Sequence, residues 1–167
     1  MFSFSSDSPV VGKSSVVIGK QAEDVFKFIG DDFYQNYPKW SPEVMELEPL
    51  SEGPIRVNSL ARQVRVDQGH KTESTFKVTE YEPCHRLVFE GVSNPYRCSY
   101  ELEDDRESSA TRVTFTFELT QMEIFMRPFE KLIRMAVQDG TKRTLYNLKR
   151  LIESENEPAQ SRRGRNS

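Results

Sequence analysis

One cysteine and one histidine of the chain stand side by side in the segment VTEYEPCHRLVFEG, residues 78–91. Such a pair suggests a nucleophile with its base, part of a metal site, or simply a turn. We favour the turn, because Pro83 cannot donate to a strand ladder and fits a turn position. Cys84 and His85 then enter a strand on opposite faces, too far apart to share a proton. The pair also supplies fewer ligands than the three or four of a zinc site.

A disulfide between the two cysteines is disfavoured by the expected strand register. If Ser93-Asn94-Pro95 forms the tip of a hairpin, Cys98 lies opposite Phe89 on the neighbouring strand. Cys84 is then offset along the sheet by about 16 Å at roughly 3.3 Å per residue. A disulfide requires Cα atoms within about 7 Å of each other. We therefore expect two free thiols.

The other ionisable side chains form no obvious catalytic or metal-binding set. His70 follows a glycine in the turn DQGH, either as an exposed turn residue or, with Glu73, as an acid–base pair at a cavity mouth. The acidic run ELEDDRE, residues 101–107, straddles a turn, which favours a solvated edge over a metal site. No phosphate-binding loop, nucleophile elbow or HExxH motif occurs. We therefore assign no catalytic residue, metal ligand or cofactor, and the missing acid–base set argues against an enzyme.

Length and composition are those of an ordinary globular domain, with 167 residues and a formal net charge of −3. The weak charge gives no broad nucleic-acid footprint. No run approaches the roughly 20 apolar residues of a membrane span, and the N-terminus lacks a secretory signal. We expect a cytoplasmic protein, monomeric or homodimeric, with a flexible segment 1–12, one domain over 13–154 and a disordered basic tail 155–167.

Alternating apolar and polar residues predict a meander of antiparallel strands joined by short turns. The clearest alternation is in TRVTFTFELT, where Val113, Phe115, Phe117 and Leu119 share one face. A first strand and two short helices precede the meander. The predicted strands cover residues 13–19, 44–53, 56–66, 71–81, 85–92, 96–104 and 111–120.

The C-terminal third predicts one long helix from about Pro128 to Ser154, with an apolar stripe at helical spacing. Gly140 interrupts this stripe, either for close approach to the sheet or for a bend that opens space beneath the helix. The order of elements implies an α+β fold in which a curved antiparallel sheet of about seven strands wraps around the long helix. A curved sheet meets a straight helix along only part of its length, so we expect a cavity between them.

Several segments in this order resemble the SRPBCC superfamily, the START-like helix-grip group that includes the polyketide cyclase/dehydrase and lipid-transport family. The resemblance rests on AEDVFKFIGD, NYPKWSPEVMELE, GPIRV, VTEYEPCHRLVFEG, ATRVTFTFEL and LYNLKRLIE, and covers about Lys13 to Glu153. It implies a hydrophobic cavity under the long helix that binds lipids, quinones, polyketides or similar molecules. Asn58 departs from the pattern, since many members carry glycine after the corresponding valine.

Inward-pointing residues of the sheet and helix are the candidate ligand contacts. We predict that the cavity is lined by Trp40, Leu60, Arg62, Val64, Phe76, Val78, Phe89, Tyr100, Phe115, Phe117, Phe129, Ile133 and Ala136, with Tyr34 and Tyr37 at its entrance. Thr72 and Ser74 are expected to point inward as well. Arg62 has two interpretations: it anchors a carboxylate or enolate oxygen of the ligand, or the face assignment slips by one residue and places it in solvent.

These expectations leave three functions open. The first is binding, transport or sequestration of a small hydrophobic or amphipathic molecule. The second is a cyclase or dehydratase that acts on a polyketide-like substrate in the same cavity. The third is an interaction module, which predicts a filled core and an exposed apolar patch.

Overall fold

The computed structural model of the chain describes residues 9–105 and 107–154. The strands are β1 (Val10–Ile18), β2 (Val44–Pro49), β3 (Leu60–Asp67), β4 (His70–Glu82), β5 (Arg86–Gly91), β6 (Tyr96–Asp105) and β7 (Ala110–Leu119). The helices are α1 (Ala22–Phe26), which continues as a π-helical turn over Lys27–Asp31, α2 (Phe33–Trp40) and α3 (Glu130–Ser154), which follows a 3-10 turn at Ile124–Phe129. β1 begins before the predicted boundary at Lys13. The basic tail and residues 1–8 lie outside the described residues.

The strands form one antiparallel sheet in the order β1-β7-β6-β5-β4-β3-β2. Strands that follow one another from β2 to β7 are neighbours in the sheet, and β1 completes it beside β7. The curved sheet wraps around α3, so the helix-grip prediction is confirmed. The predicted register of the β5–β6 hairpin is also confirmed, because Phe89 pairs with Cys98 and both cysteines are free thiols.

Cys84 and Asn58, which the sequence analysis singled out, both have a left-handed backbone. Cys84 has a φ of 66°, and the His85 amide donates to the Glu82 carbonyl at 2.9 Å, which closes the turn. Asn58 has a φ of 76°, in the region that glycine adopts without strain and asparagine tolerates better than most residues. The turn interpretation of Cys84–His85 is therefore confirmed, and Asn58 stands at a position whose backbone favours glycine.

Helix α3 runs alongside β1 and fixes one wall of the fold. A Cβ atom at Gly12 would lie 2.7 Å from Val137 Cγ1, so only glycine lets the helix come this close. One turn later the hydroxyl oxygens of Ser14 and Thr141 lie 2.8 Å apart. The close approach suggested for Gly140 occurs at Gly12 instead. A Cβ atom at Gly140 would meet only the Arg143 guanidinium, at 4.0 Å, and the helix continues through this residue.

Aromatic side chains from α2 and the sheet fill one end of the space between the sheet and α3. Phe33 is fully buried, and its ring packs on those of Tyr37 at 4.7 Å and Phe89 at 5.4 Å. Trp40 closes this cluster, and the Asn147 side chain of α3 donates to its carbonyl oxygen at 3.0 Å. The cluster blocks one end of the space between sheet and helix, so any cavity must lie towards the start of α3.

Large apolar side chains are exposed around the beginning of α3. Ile124 is 82% exposed, and Phe125 and Leu132 are also mostly exposed. The exposed apolar patch that the interaction-module hypothesis predicts is therefore present at this point. No helix among the described residues has the length and apolar character needed to span a membrane.

Candidate ligand-binding cavity

A cavity of about 840 Å³ lies between the inner face of the sheet and the first half of α3. The volume falls within the range of small-molecule sites, roughly 300–1,000 Å³. The predicted cavity is present, and the filled core of the interaction-module hypothesis is wrong. The lining residues are Tyr37, Ser41, Glu43, Gln63, Arg65, Asp67, Gln68, Thr72, Ser74, Asn94, Pro95, Tyr96, Cys98, Tyr100, Phe115, Phe117, Leu119, Ile133, Ala136, Val137, Gly140, Arg143 and Thr144.

One wall of the cavity is apolar and comes from β7 and α3. Phe115, Phe117 and Leu119 alternate along β7 and point to the inner face, as the period of two requires. Ile133 and Val137 of α3 face them across the cavity. This wall offers contact area but no hydrogen-bonding group.

The opposite wall carries a hydrogen-bonded cluster centred on Gln63, which is 2% exposed. Tyr37 donates to Gln63 Oε1 at 3.1 Å, and Gln63 Nε2 donates to the Tyr96 hydroxyl at 3.0 Å and to Ser74 Oγ at 3.4 Å. The hydroxyls of Ser74 and Tyr96 lie 3.1 Å apart, and either one can donate. The amide of Gln63 is therefore satisfied by protein groups, and the hydroxyls around it face the cavity.

Arg65 holds the outer end of this cluster. Its Nε and Nη2 atoms donate to both carboxylate oxygens of Asp67, at 3.2 and 3.1 Å. Its Nη1 atom donates to the Tyr37 hydroxyl and to Ser41 Oγ, both at 3.2 Å. Burial lowers the pKa of Arg65, but Tyr37 and Asp67 outweigh burial and hold the pKa above its ordinary value. Protein groups thus engage four of the five N–H donors of the charged Arg65 side chain.

Strand β6 contributes Tyr96, Cys98 and Tyr100, alternate residues that all point inward. Burial raises the pKa of the Cys98 thiol to about 12 and the pKa of the Tyr100 hydroxyl well above its ordinary value. Burial also raises the pKa of Tyr96. These groups stay protonated at neutral pH, so Cys98 is a poor nucleophile and the tyrosines are hydrogen-bond donors.

Six of the predicted contact and entrance residues line the cavity: Tyr37, Tyr100, Phe115, Phe117, Ile133 and Ala136. Thr72 and Ser74 also point inward as expected. Whether any of them touches a ligand stays a prediction.

The prediction that Arg62 points into the cavity is wrong. Its side chain lies on the outer face of the sheet, with Nε 2.6 Å from Glu73 Oε1 and Nη1 3.1 Å from Glu46 Oε2. Leu60 and Val64 share this outer face, since the side chains of β3 alternate and Val64 pairs with Glu73. The inner positions are Ala61, Gln63 and Arg65, so the assignment was shifted by one residue. Glu73 pairs with Arg62 rather than with His70, which is exposed.

The remaining misplaced residues are in the aromatic core or in solvent. Trp40, Phe76, Val78 and Phe89 belong to the closed core next to the cavity and do not line it. Tyr34 packs on Phe33 beside this core, and Phe129 is 56% exposed in the 3-10 turn before α3. Long apolar side chains are as suitable for a filled core as for a cavity wall, so their type alone could not separate the two.

The polar lining residues Gln63, Arg65 and Tyr96 were missed by the sequence analysis. They stand at inward positions of their strands, but in the sequence a polar residue at such a position looks the same as a residue on the solvent-exposed face. The strand pairing gives the signal: Gln63 faces Ser74, and Phe76, two residues on along the same face, is fully buried. No group of three or more His, Cys, Asp or Glu side chains among the described residues is placed to hold a metal ion.

Comparison with known proteins identifies the family. The family described as polyketide cyclase / dehydrase and lipid transport matches residues 10–153. The chain belongs to this family. Among curated proteins, no sequence matches the chain.

Solved structures agree with this assignment at the level of the fold. A START superfamily protein from Mycobacterium smegmatis has a TM-score of 0.70 and 13% identity, covering 87% of this chain and 99% of its own. A Thermus thermophilus protein has a TM-score of 0.69 and 18% identity, covering 88% and 99%. A Thalictrum norcoclaurine synthase bound to a transition-state analogue has a TM-score of 0.69 and 12% identity, covering 90% and 98%. At such low identity, the likeness shows that this member of the polyketide cyclase and lipid-transport family has the family fold.

Proposed function

We propose that this protein binds a small hydrophobic or amphipathic molecule, such as a lipid, quinone or polyketide, in the cavity beneath α3. The observation that carries the proposal is an open space of about 840 Å³ with an apolar wall and a separate polar wall. The apolar wall suits the body of an amphipathic molecule, and the hydroxyls of Ser74 and Tyr96 suit its oxygen atoms. The family description, which names lipid transport, supports the same function.

An enzyme of the cyclase or dehydratase type would use the same cavity. Two observations support this alternative: the family description names cyclases and dehydrases, and one protein of similar fold is a norcoclaurine synthase. The carboxylates that line the cavity, Glu43 and Asp67, both face guanidinium groups, at 3.6 Å from Arg143 and 3.1 Å from Arg65. Carboxylates and imidazoles are common general bases, but both lining carboxylates are paired with guanidinium groups and no histidine is among the described lining residues. We therefore propose binding rather than turnover.

We also propose that binding occurs in the cytoplasm. Both cysteines are free thiols, as is usual in a reducing compartment.

Native mass spectrometry of the purified protein, followed by organic extraction, tests the proposal directly. We expect a bound molecule or, if the protein is empty, uptake of one equivalent of the uncharged fluorophore N-phenyl-1-naphthylamine. Fluorescence enhancement in a titration gives its dissociation constant. A protein that contains no extractable molecule and does not enhance the fluorophore would contradict the proposal.

Replacing Arg62 with methionine is expected to leave this dissociation constant unchanged, because the side chain lies outside the cavity. The variant loses ion pairs to half-exposed or more exposed carboxylates, which contribute little to stability. The measurement is the same titration, with circular dichroism as a check of folding. A several-fold loss of affinity in a folded variant would mean that Arg62 reaches the ligand after all.

A further inference from the structure

We propose that Gln63 determines the ligand preference of the cavity, because its amide group fixes the direction of a chain of hydrogen bonds that ends in an O–H donor at the cavity wall. The preferred ligand then carries an acceptor oxygen, such as that of a ketone, next to the Ser74 and Tyr96 hydroxyls. The inference rests on the proposed binding function and narrows it to a chemical class. Gln63 acts as a positioning residue, since the two hydroxyls are the groups that meet the ligand.

The chain of hydrogen bonds begins at Arg65, whose guanidinium group can only donate. Arg65 Nη1 donates to the Tyr37 hydroxyl oxygen, so the Tyr37 hydrogen needs a different partner. That partner is Gln63 Oε1, at 3.1 Å. Tyr37 is 4% exposed, and burial raises the pKa of its hydroxyl, which therefore keeps this hydrogen at neutral pH. These bonds orient the Gln63 amide with its oxygen towards Tyr37 and its nitrogen towards Ser74 and Tyr96.

The nitrogen of Gln63 carries two hydrogens, and each has an acceptor at the cavity wall. Nε2 lies 3.0 Å from the Tyr96 hydroxyl oxygen and 3.4 Å from Ser74 Oγ. Both hydroxyl oxygens therefore accept from Gln63, and the two hydroxyl hydrogens remain to be placed. One of them joins the two hydroxyls, which lie 3.1 Å apart. The other has no acceptor among the described residues and is available to a ligand oxygen.

The Ser74 and Tyr96 hydroxyls are within reach of a molecule in the cavity. Both side chains line the cavity and are half-buried, whereas Gln63 behind them is 2% exposed. The Tyr96 ring stacks on that of Phe117, a residue of the apolar wall, with centroids 6.4 Å apart and an interplanar angle of 13°. One ligand can therefore pack on the apolar wall and accept a hydrogen bond beside it.

Replacing Gln63 with glutamate should reverse this preference, because a carboxylate of nearly the same shape has only acceptors. Tyr37 still donates to one carboxylate oxygen. The Ser74 and Tyr96 hydroxyls now donate to the other oxygen, so neither hydrogen is left for the ligand. The hydroxyl oxygens become the available groups, and the wall accepts hydrogen bonds instead of donating one.

Three bicyclic molecules of similar size test the reversal: 1-indanone, indole and indene. Their five-membered rings carry a ketone oxygen, an N–H donor and no polar group, respectively. Isothermal titration calorimetry at about pH 8, where a carboxyl group two residues from Arg65 is ionised, measures their affinities. We expect wild-type protein to bind indanone about three- to tenfold more tightly than indene, the effect of one hydrogen bond. In Gln63→Glu, the ratio of indanone affinity to indole affinity should fall by about tenfold or more, because one bond is lost and another is gained.

The matched control is Gln63→Met, which removes the amide without adding an acceptor. The Ser74 and Tyr96 hydroxyls still share one bond in this variant and keep one hydrogen over, so indanone should remain the preferred ligand. A purely structural role of Gln63 would instead weaken the binding of all three molecules alike in both variants. Thermal unfolding checks that both variants are folded.

The possible failures are distinguishable. If wild-type protein binds neither N-phenyl-1-naphthylamine nor any of the three bicyclic molecules, the proposed function itself fails. If it binds N-phenyl-1-naphthylamine but binds indanone no more tightly than indene or indole, the binding function stands and the inference is overturned. This comparison needs no variant, so it decides the matter even where Gln63→Glu does not fold. The inference is also overturned if folded Gln63→Glu keeps the wild-type preference for indanone.

Discussion

Two tryptophans placed on the cavity side of α3, Ala136→Trp with Gly140→Trp, should weaken binding of N-phenyl-1-naphthylamine by tenfold or more, about 1.4 kcal/mol. Ala136 and Gly140 are one helical turn apart and both line the cavity. A Cβ atom at Gly140 meets only Arg143, at 4.0 Å, so an indole has room to enter the open space. Glycine is a poor residue in a helix interior, so this substitution favours the helix itself.

The matched control shifts both tryptophans by one residue, to Met135→Trp with Asp139→Trp. Met135 and Asp139 are exposed and do not line the cavity. The control adds the same rings to the same helix but places them in solvent, and its affinity should equal that of the wild type. Equal affinity in both double variants would show that the fluorophore binds elsewhere.

Trp40→Ala should lower the free energy of unfolding by about 3–5 kcal/mol, the usual effect of removing a large buried aromatic side chain. Trp40 is fully buried and packs on Phe28 and Phe33, both with ring centroids 5.9 Å away, and on Tyr100. Its loss leaves a void at the centre of the aromatic core. Urea unfolding monitored by circular dichroism measures the effect. Tryptophan fluorescence is not suitable, because the variant lacks the chain's one tryptophan.

Tyr146→Ala is the control for this substitution. Tyr146 is an aromatic residue on α3 that is 67% exposed, so its removal should change the free energy of unfolding by less than about 0.5 kcal/mol. A loss below about 1 kcal/mol for Trp40→Ala would mean that the aromatic cluster contributes little to stability. Together the two experiments separate the cavity from the core: the first pair of variants changes binding, and the second changes stability.

Much of the fold could be predicted because local patterns repeat along the chain. The alternation of β7 fixes which of its residues share a face, and the predicted and observed strands differ there by one residue at each end. The pairing of Phe89 with Cys98 followed from the position of one turn. Short turns leave adjacent strands little freedom of register, so such pairings can be read from local sequence.

The position of the site was harder to predict, and β3 shows why. The alternation in LARQVRVD is clear, but it does not say which set of residues points inward. We assigned the set with more apolar residues to the inside, and the structure places Ala61, Gln63 and Arg65 there. A cavity with a polar wall reverses the usual rule that the more apolar set of side chains points inward. Its hydroxyl, amide and guanidinium groups can point inward because they hydrogen-bond to one another across strands.

The sequence by itself determined the order of elements, the antiparallel meander, the long C-terminal helix and the turn at Cys84. These features depend on residues that are near neighbours in the chain. Only the tertiary structure decided that Trp40, Phe76 and Phe89 fill the core while Gln63 and Tyr96 line the cavity. That division depends on where α2 and α3 settle against the sheet. Those positions are set by contacts between distant residues, such as Gly12 with Val137 and Trp40 with Asn147.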